Sequence, residues 1–132
     1  MSSNSQTMNF EVLPSTNPAT YTASITHSGD STVEIRSSEK YKGDGYYNRS
    51  DGFHTLQYTL AGFLGTVNVQ ATLAINPTED DWFTVYTKQY TPINDIGETG
   101  SHITNFTGNY VWVRAHINNW TDGTVQSIKL NH

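Results

Sequence analysis

Apolar and polar side chains alternate at period two along most of this chain. The pattern is clearest over residues 66–75, where Val67, Val69, Ala71, Leu73 and Ile75 are interleaved with Asn68, Gln70 and Thr72. That spacing predicts a strand with the first set turned to a core and the second set outward. Residues 54–60 repeat it with Leu56, Tyr58 and Leu60 in phase, and residues 62–65, bounded by two glycines, are expected to turn the chain between the two strands. Shorter strands are predicted over 9–13, 20–26 (Tyr21, Ala23 and Ile25 on one face), 32–36 (Val33 and Ile35), 82–88 and 103–106.

The last third carries the strongest signal. Val111, Val113, Ala115 and Ile117 alternate with Tyr110, Trp112, Arg114 and His116, and residues 124–131 resume strand character after Asp122-Gly123. A hairpin turning at Asp122-Gly123 is predicted. In its second arm Val125 is out of phase with Ile128 and Leu130, so one extra residue near Ser127, a β-bulge, is expected. About eight or nine short strands with turn signals between them predict an all-β fold, an antiparallel two-sheet β-sandwich of jelly-roll or immunoglobulin-like kind. Residues 1–7 are polar and expected to form a flexible arm, and residues 8–132 a single domain.

Alternation stops in two segments. Residues 37–52 form a loop rich in Gly, Asp, Tyr and Asn, and residues 89–100 contain Pro92 and two glycines. Long irregular loops in a small domain are often functional. Tyr41, Tyr46, Tyr47 and Phe53 crowd the first, where they either stack on a sugar or a partner or fold back as a lid over the sandwich end. If the valine set of residues 111–117 is core, then Tyr110, Trp112 and Arg114 stand outside, and that sticky face is expected to be buried against another subunit, a homo-oligomer included.

Composition narrows the function. Charged residues are 14% of the chain and the net charge is −5, with seven scattered Lys and Arg, so the basic footprint of a nucleic-acid binder is missing. There is no cysteine, hence neither a disulfide framework nor a thiolate metal site. Residues 1–7 lack the features of a signal peptide and no apolar run is long enough for a membrane span, so cytoplasmic synthesis without membrane association is expected. His27, His54, His102, His116 and His132 lie in different elements and are expected to be hydrogen-bonded surface residues rather than zinc ligands. Glu79-Asp80-Asp81 lacks the alternation of a calcium loop and is expected to be an acidic turn. No nucleophile elbow, phosphate loop or selected carboxylate pair marks a catalytic site, and neither enzyme activity nor a cofactor is expected.

Four segments carry a resemblance: residues 62–73 (GFLGTVNVQATL), Asp81-Trp82-Phe83-Thr84-Val85 after Pro77, residues 106–115 (FTGNYVWVRA) and the 123–128 ending GTVQSI. Over residues 47–130 the chain resembles small virion structural proteins of tailed bacteriophages, those of T4-like phages and of cyanobacterial phages among them. The resemblance implies a capsid decoration or cement protein, made in the host cytoplasm and held in the virion by contacts with other virion proteins. A tail, neck, baseplate or fibre-tip component is the nearest alternative. A lectin-like, carbohydrate-binding module using Tyr46 and Tyr47 is the alternative of a different class, with a glycan as partner.

Overall fold

A computed structural model describes residues 5–11, 21–27, 33–46, 52–92 and 97–131. Ten strands are present among them: β1 (Ser5–Thr7), β2 (Phe10–Glu11), β3 (Tyr21–Thr22), β4 (Ile25–Thr26), β5 (Glu34–Ser37), β6 (Tyr41–Lys42), β7 (Phe53–Thr72), β8 (Phe83–Tyr90), β9 (Glu98–Thr107) and β10 (Trp112–Asn131). All pairings are antiparallel, and β2 and β3 form a small ribbon of their own.

Two strands organise everything else. β7 and β10 are each 20 residues long, and β10 pairs end to end with residues 55–72 of β7. Neither contains the turn expected from its glycines. At Gly62 in β7 and Gly123 in β10 the φ angles are +62° and +91°, left-handed values that a hairpin turn and a bulge both use. Here they make bulges: the register slips between Asn118 and Asp122 and again before Thr124, and pairing then resumes. Because both strands bend at the same level, each can continue past its glycine without losing its partner. A Cβ on Gly123 would lie 2.2 Å from the Gly62 carbonyl oxygen, so the backbones meet too closely there for a side chain on Gly123.

The bend divides one sheet into two layers. In layer one, residues 53–60 and 124–131 of the long strands are flanked by β9 on one side and by β1 and β4 on the other. In layer two, residues 65–71 and 112–118 are flanked by β8 and by β5 with β6. Leu56, Tyr58, Leu60, Val125, Ile128 and Leu130 of layer one share a single buried cluster with Val67, Val69, Ala71, Val113, Ala115 and Ile117 of layer two. This is a β-sandwich, and burial of each large apolar side chain contributes about 1.5–3 kcal/mol before chain entropy is subtracted. The predicted bulge is present, as a register shift between Val125 and Ser127.

Several expectations are corrected. Ser5–Thr7, expected in a flexible arm, pair with Lys129, Leu130 and Asn131. Leu73 and Ile75, expected in the core, are exposed because β7 ends at Thr72. Val33 and Ile35 face solvent, and Glu34 and Arg36 turn to the other side, where Glu34 is 3.1 Å from His27 Nε2 and is also bonded to Arg36. His27 and His54 are buried, not superficial: His27 lies edge-on to Trp120 and His54 stacks on Phe106 at 4.9 Å.

Candidate functional site

Alternation along the central strands of layer two puts one set of side chains outside the core. The cross-strand pairs are Trp112 with Thr72, Arg114 with Gln70, His116 with Asn68 and Asn118 with Thr66. Ser37 of β5 extends the His116 pair. This row would be an open polar surface if nothing crossed it, yet Arg114 is only 7% exposed and Thr72 is fully covered.

Two segments fold against this face. The first follows β7: Thr78 opens a single 3-10 turn, Glu79–Asp81, its backbone N–H donating to Asp81 Oδ2 at 2.7 Å. The expected acidic turn is therefore present, and it has a long-range partner. Arg114 donates from Nη1 and Nη2 to the two Glu79 oxygens at 2.9 and 3.1 Å, and from Nε to Gln70 Oε1 at 2.8 Å. The Trp82 ring lies 4.5 Å from the guanidinium carbon. The planar fork is thus held on three sides, and the hydrogen bonds from Arg114, with its charge as a smaller contribution, keep the Glu79 carboxyl below its usual range.

The second segment is the turn 44–46, after β6. It brings the Tyr46 ring to 5.1 Å from Trp112. Lys40 Nζ stands 4.9 Å over Trp112, Lys42 Nζ stands 4.5 Å over Tyr46, and the Trp112 indole N–H donates to the Ile75 carbonyl at 2.8 Å. Trp112 remains partly exposed and Tyr46 exposed. At the other end of the row, His116 Nδ1 and Ser37 Oγ are 2.7 Å apart, and Asn68 Nδ2 donates to the His116 carbonyl and to Asn118 Oδ1. Burial, then the nearby Arg114 charge, push the His116 pKa down, so this imidazole is neutral at pH 7.

The sequence-predicted residues therefore separate. Trp112, Arg114 and Tyr46 come together on the layer-two face. Tyr41 does not join them: it packs against the core, and its hydroxyl oxygen accepts the Asn9 N–H at 2.6 Å. Tyr110, expected beside Trp112, precedes the first residue of β10 and packs on His54, Phe83 and Phe106. Phe53 is exposed at the end of layer one, and Tyr47 lies outside the described residues. Arg114 is covered by its own chain rather than left bare for a neighbour. Sequence reasoning missed Gln70, Glu79, Trp82, Lys40 and Lys42. A tryptophan directly after an acidic turn was the one available signal.

No protein-family model matches the chain, and no curated protein is similar to it in sequence. Among solved structures it is similar to a chitosan-binding module of a chitosanase/glucanase from Paenibacillus sp. IK-5, at 15% identity and a TM-score of 0.51, over 83% of this chain and 75% of that one. A family 29 carbohydrate-binding module from Piromyces equi aligns at 12% identity and a TM-score of 0.45, over 98% and 91% of the two chains. The adhesin domain K3 of Lys-gingipain from Porphyromonas gingivalis aligns at 7% identity and a TM-score of 0.44, over 73% and 60%. The likeness to the Paenibacillus module is one of fold, the β-sandwich.

Proposed function

We propose that this chain is a carbohydrate-binding module and that the outer face of layer two is its binding surface. The observation that carries this reading is the pairing of partly exposed aromatic rings, Trp112 with Tyr46, beside a fixed row of polar groups, Arg114, Gln70 and Glu79. A sugar ring presents an apolar C–H face that packs on an aromatic ring and an equatorial rim of hydroxyls that need donors and acceptors. A rigid site offering both recognises it at low ordering cost. The chitosan-binding module shows that a sandwich of this shape can hold a sugar, but folds host many functions, so the reading rests on the side chains.

The test is a glycan array followed by calorimetry on the best ligand. Trp112→Ala is expected to weaken binding about tenfold or more with the fold retained. An array without any ligand, or a Trp112→Ala variant that binds as the parent does, would refute the proposal.

The particle component expected from the resemblance is a second reading, favoured by Ile103 and Phe53, which are 71% and 58% exposed on layer one. Both point to the outer face of layer one, where the apolar centre of a protein contact would cover them. Stoichiometric co-sedimentation with phage capsids, lost in Ile103→Ser, is its expected result; absence of co-sedimentation would dismiss it.

A further inference from the structure

The bend in β7 has a second consequence on the side away from β10. β9 pairs with β7 from Phe53 up to Phe63, and β8 pairs with it from Gly65 to Ala71. As the two layers diverge at the bend, these two partners splay apart and leave a cleft of about 410 Å³ lined by Lys88, Gln89, Tyr90, Thr91, Glu98 and His102. A volume of this size falls within the range of small-molecule sites.

The walls of the cleft are held firmly. Tyr58, buried behind it, shares hydrogen bonds with the hydroxyls of Tyr86 and Tyr90 at 2.8 and 2.7 Å. The His102 ring stacks on Tyr58 at 5.3 Å and lies 5.5 Å from Tyr90, and its Nε2 is 3.0 Å from the Glu98 carboxylate. Lys88 Nζ stands 5.9 Å from the Tyr90 ring centre, and among the described residues no carboxylate pairs with it. The lining thus holds one ammonium, one carboxylate, an imidazole and an aromatic ring. The Lys88 and Glu98 charges are opposite in sign, so they give the lining no excess charge that would favour an anion or a cation. They do supply an acceptor for paired hydroxyls, a donor for a third oxygen and a ring to pack against.

We propose that this cleft is a second binding site, for a single neutral sugar unit, separate from the layer-two face. Amide shifts of isotope-labelled protein, titrated with methyl glycosides of neutral hexoses and with glucuronate to roughly 50 mM, test it. Shifts are expected at residues 88–91 and 98–102 with a neutral glycoside, and Glu98→Gln, which keeps the shape, is expected to weaken them about tenfold. Lys88→Met provides an independent variant with the same expected direction. The Trp112 indole N–H reports the layer-two face in the same spectra, so failure of one site is distinguishable from failure of the other. The proposal is overturned if no neutral glycoside moves the cleft amides, if glucuronate binds there in preference, or if neither variant weakens the effect.

Discussion

The two layers are cut from the same two strands, yet their outer faces have different chemistry. On layer one, Thr55 donates to Asn105 and Thr59 shares a hydrogen bond with Ser101, with Gln57 between them. Thr55 and Thr59 are short and bond sideways to their neighbours on β9, while Gln57 lies opposite the exposed Ile103, and none of these positions carries a ring. On layer two the corresponding positions hold Trp112, Arg114 and His116, and two segments from elsewhere in the chain fold against them. A strand face becomes a recognition surface when long side chains are fixed by partners outside the sheet. Ladder bonding alone leaves a polar surface with little to distinguish one ligand from another.

The joint between the layers is the most sensitive place to break this contrast. Gly123→Ala forces a Cβ against the Gly62 carbonyl at a positive φ, and a loss of about 3 kcal/mol in denaturant unfolding is expected, impairing both faces together. Gly62→Ala meets open space and is expected to cost only about 1 kcal/mol, for the left-handed backbone alone. Similar losses from the two variants would mean that the close approach is not a constraint.

Arg114→Ala sharpens the comparison between faces. Its buried guanidinium holds Glu79, Gln70 and Trp82, so a stability loss of about 2 kcal/mol together with weaker glycan binding is expected. Glu79 is the exposed member of the pair, with its side chain 80% accessible, and Glu79→Gln is expected to cost at most about 1 kcal/mol.

Acid should affect layer two first. The His116 pKa is lowered in the folded state, so between its ordinary value near 6.5 and that lower value the unfolded chain binds more protons. The stabilising contribution is complete above about pH 6.5, declines as pH falls through this window, and is followed by a second decline below about pH 4.5 as Glu79 protonates. Denaturant midpoints measured from pH 8 to pH 4 should follow that course, and His116→Gln should remove the earlier decline. The smallest effect is expected at the centre of layer one, where Thr59→Ala should change stability by less than about 0.5 kcal/mol and leave glycan binding unchanged.

Much of the core was legible from alternation, because a pleated strand obliges every second residue to share a face. Val67, Val69, Ala71, Val113, Ala115 and Ile117 are buried as expected, and the phase break at Val125 marked a true bulge. Trp112 and Arg114 were rightly placed outside the core. Gly62 and Gly123 were misread as turn residues because a left-handed glycine serves a turn and a bulge equally, and the difference depends on whether the partner strand bends too. Val33 and Ile35 were misassigned because hydropathy ignores that Glu34 has His27 and Arg36 as partners. The candidate site was half legible: its strand residues follow from period two, whereas Lys40, Tyr46, Glu79 and Trp82 reach it by closing loops whose ends carry no mark of each other.

Local pattern determined that this chain is β-rich, where its apolar faces run and that its outer surface would be polar with few charges. Each of these depends on near neighbours in sequence, which share a strand and hence a fixed geometry. Tertiary structure alone decided that two long strands bend together into both layers, that Arg114 is gripped by Glu79 and Trp82, and that a cleft opens beside the bend. Those outcomes depend on contacts between residues distant in sequence, where the register of one strand selects what another can meet.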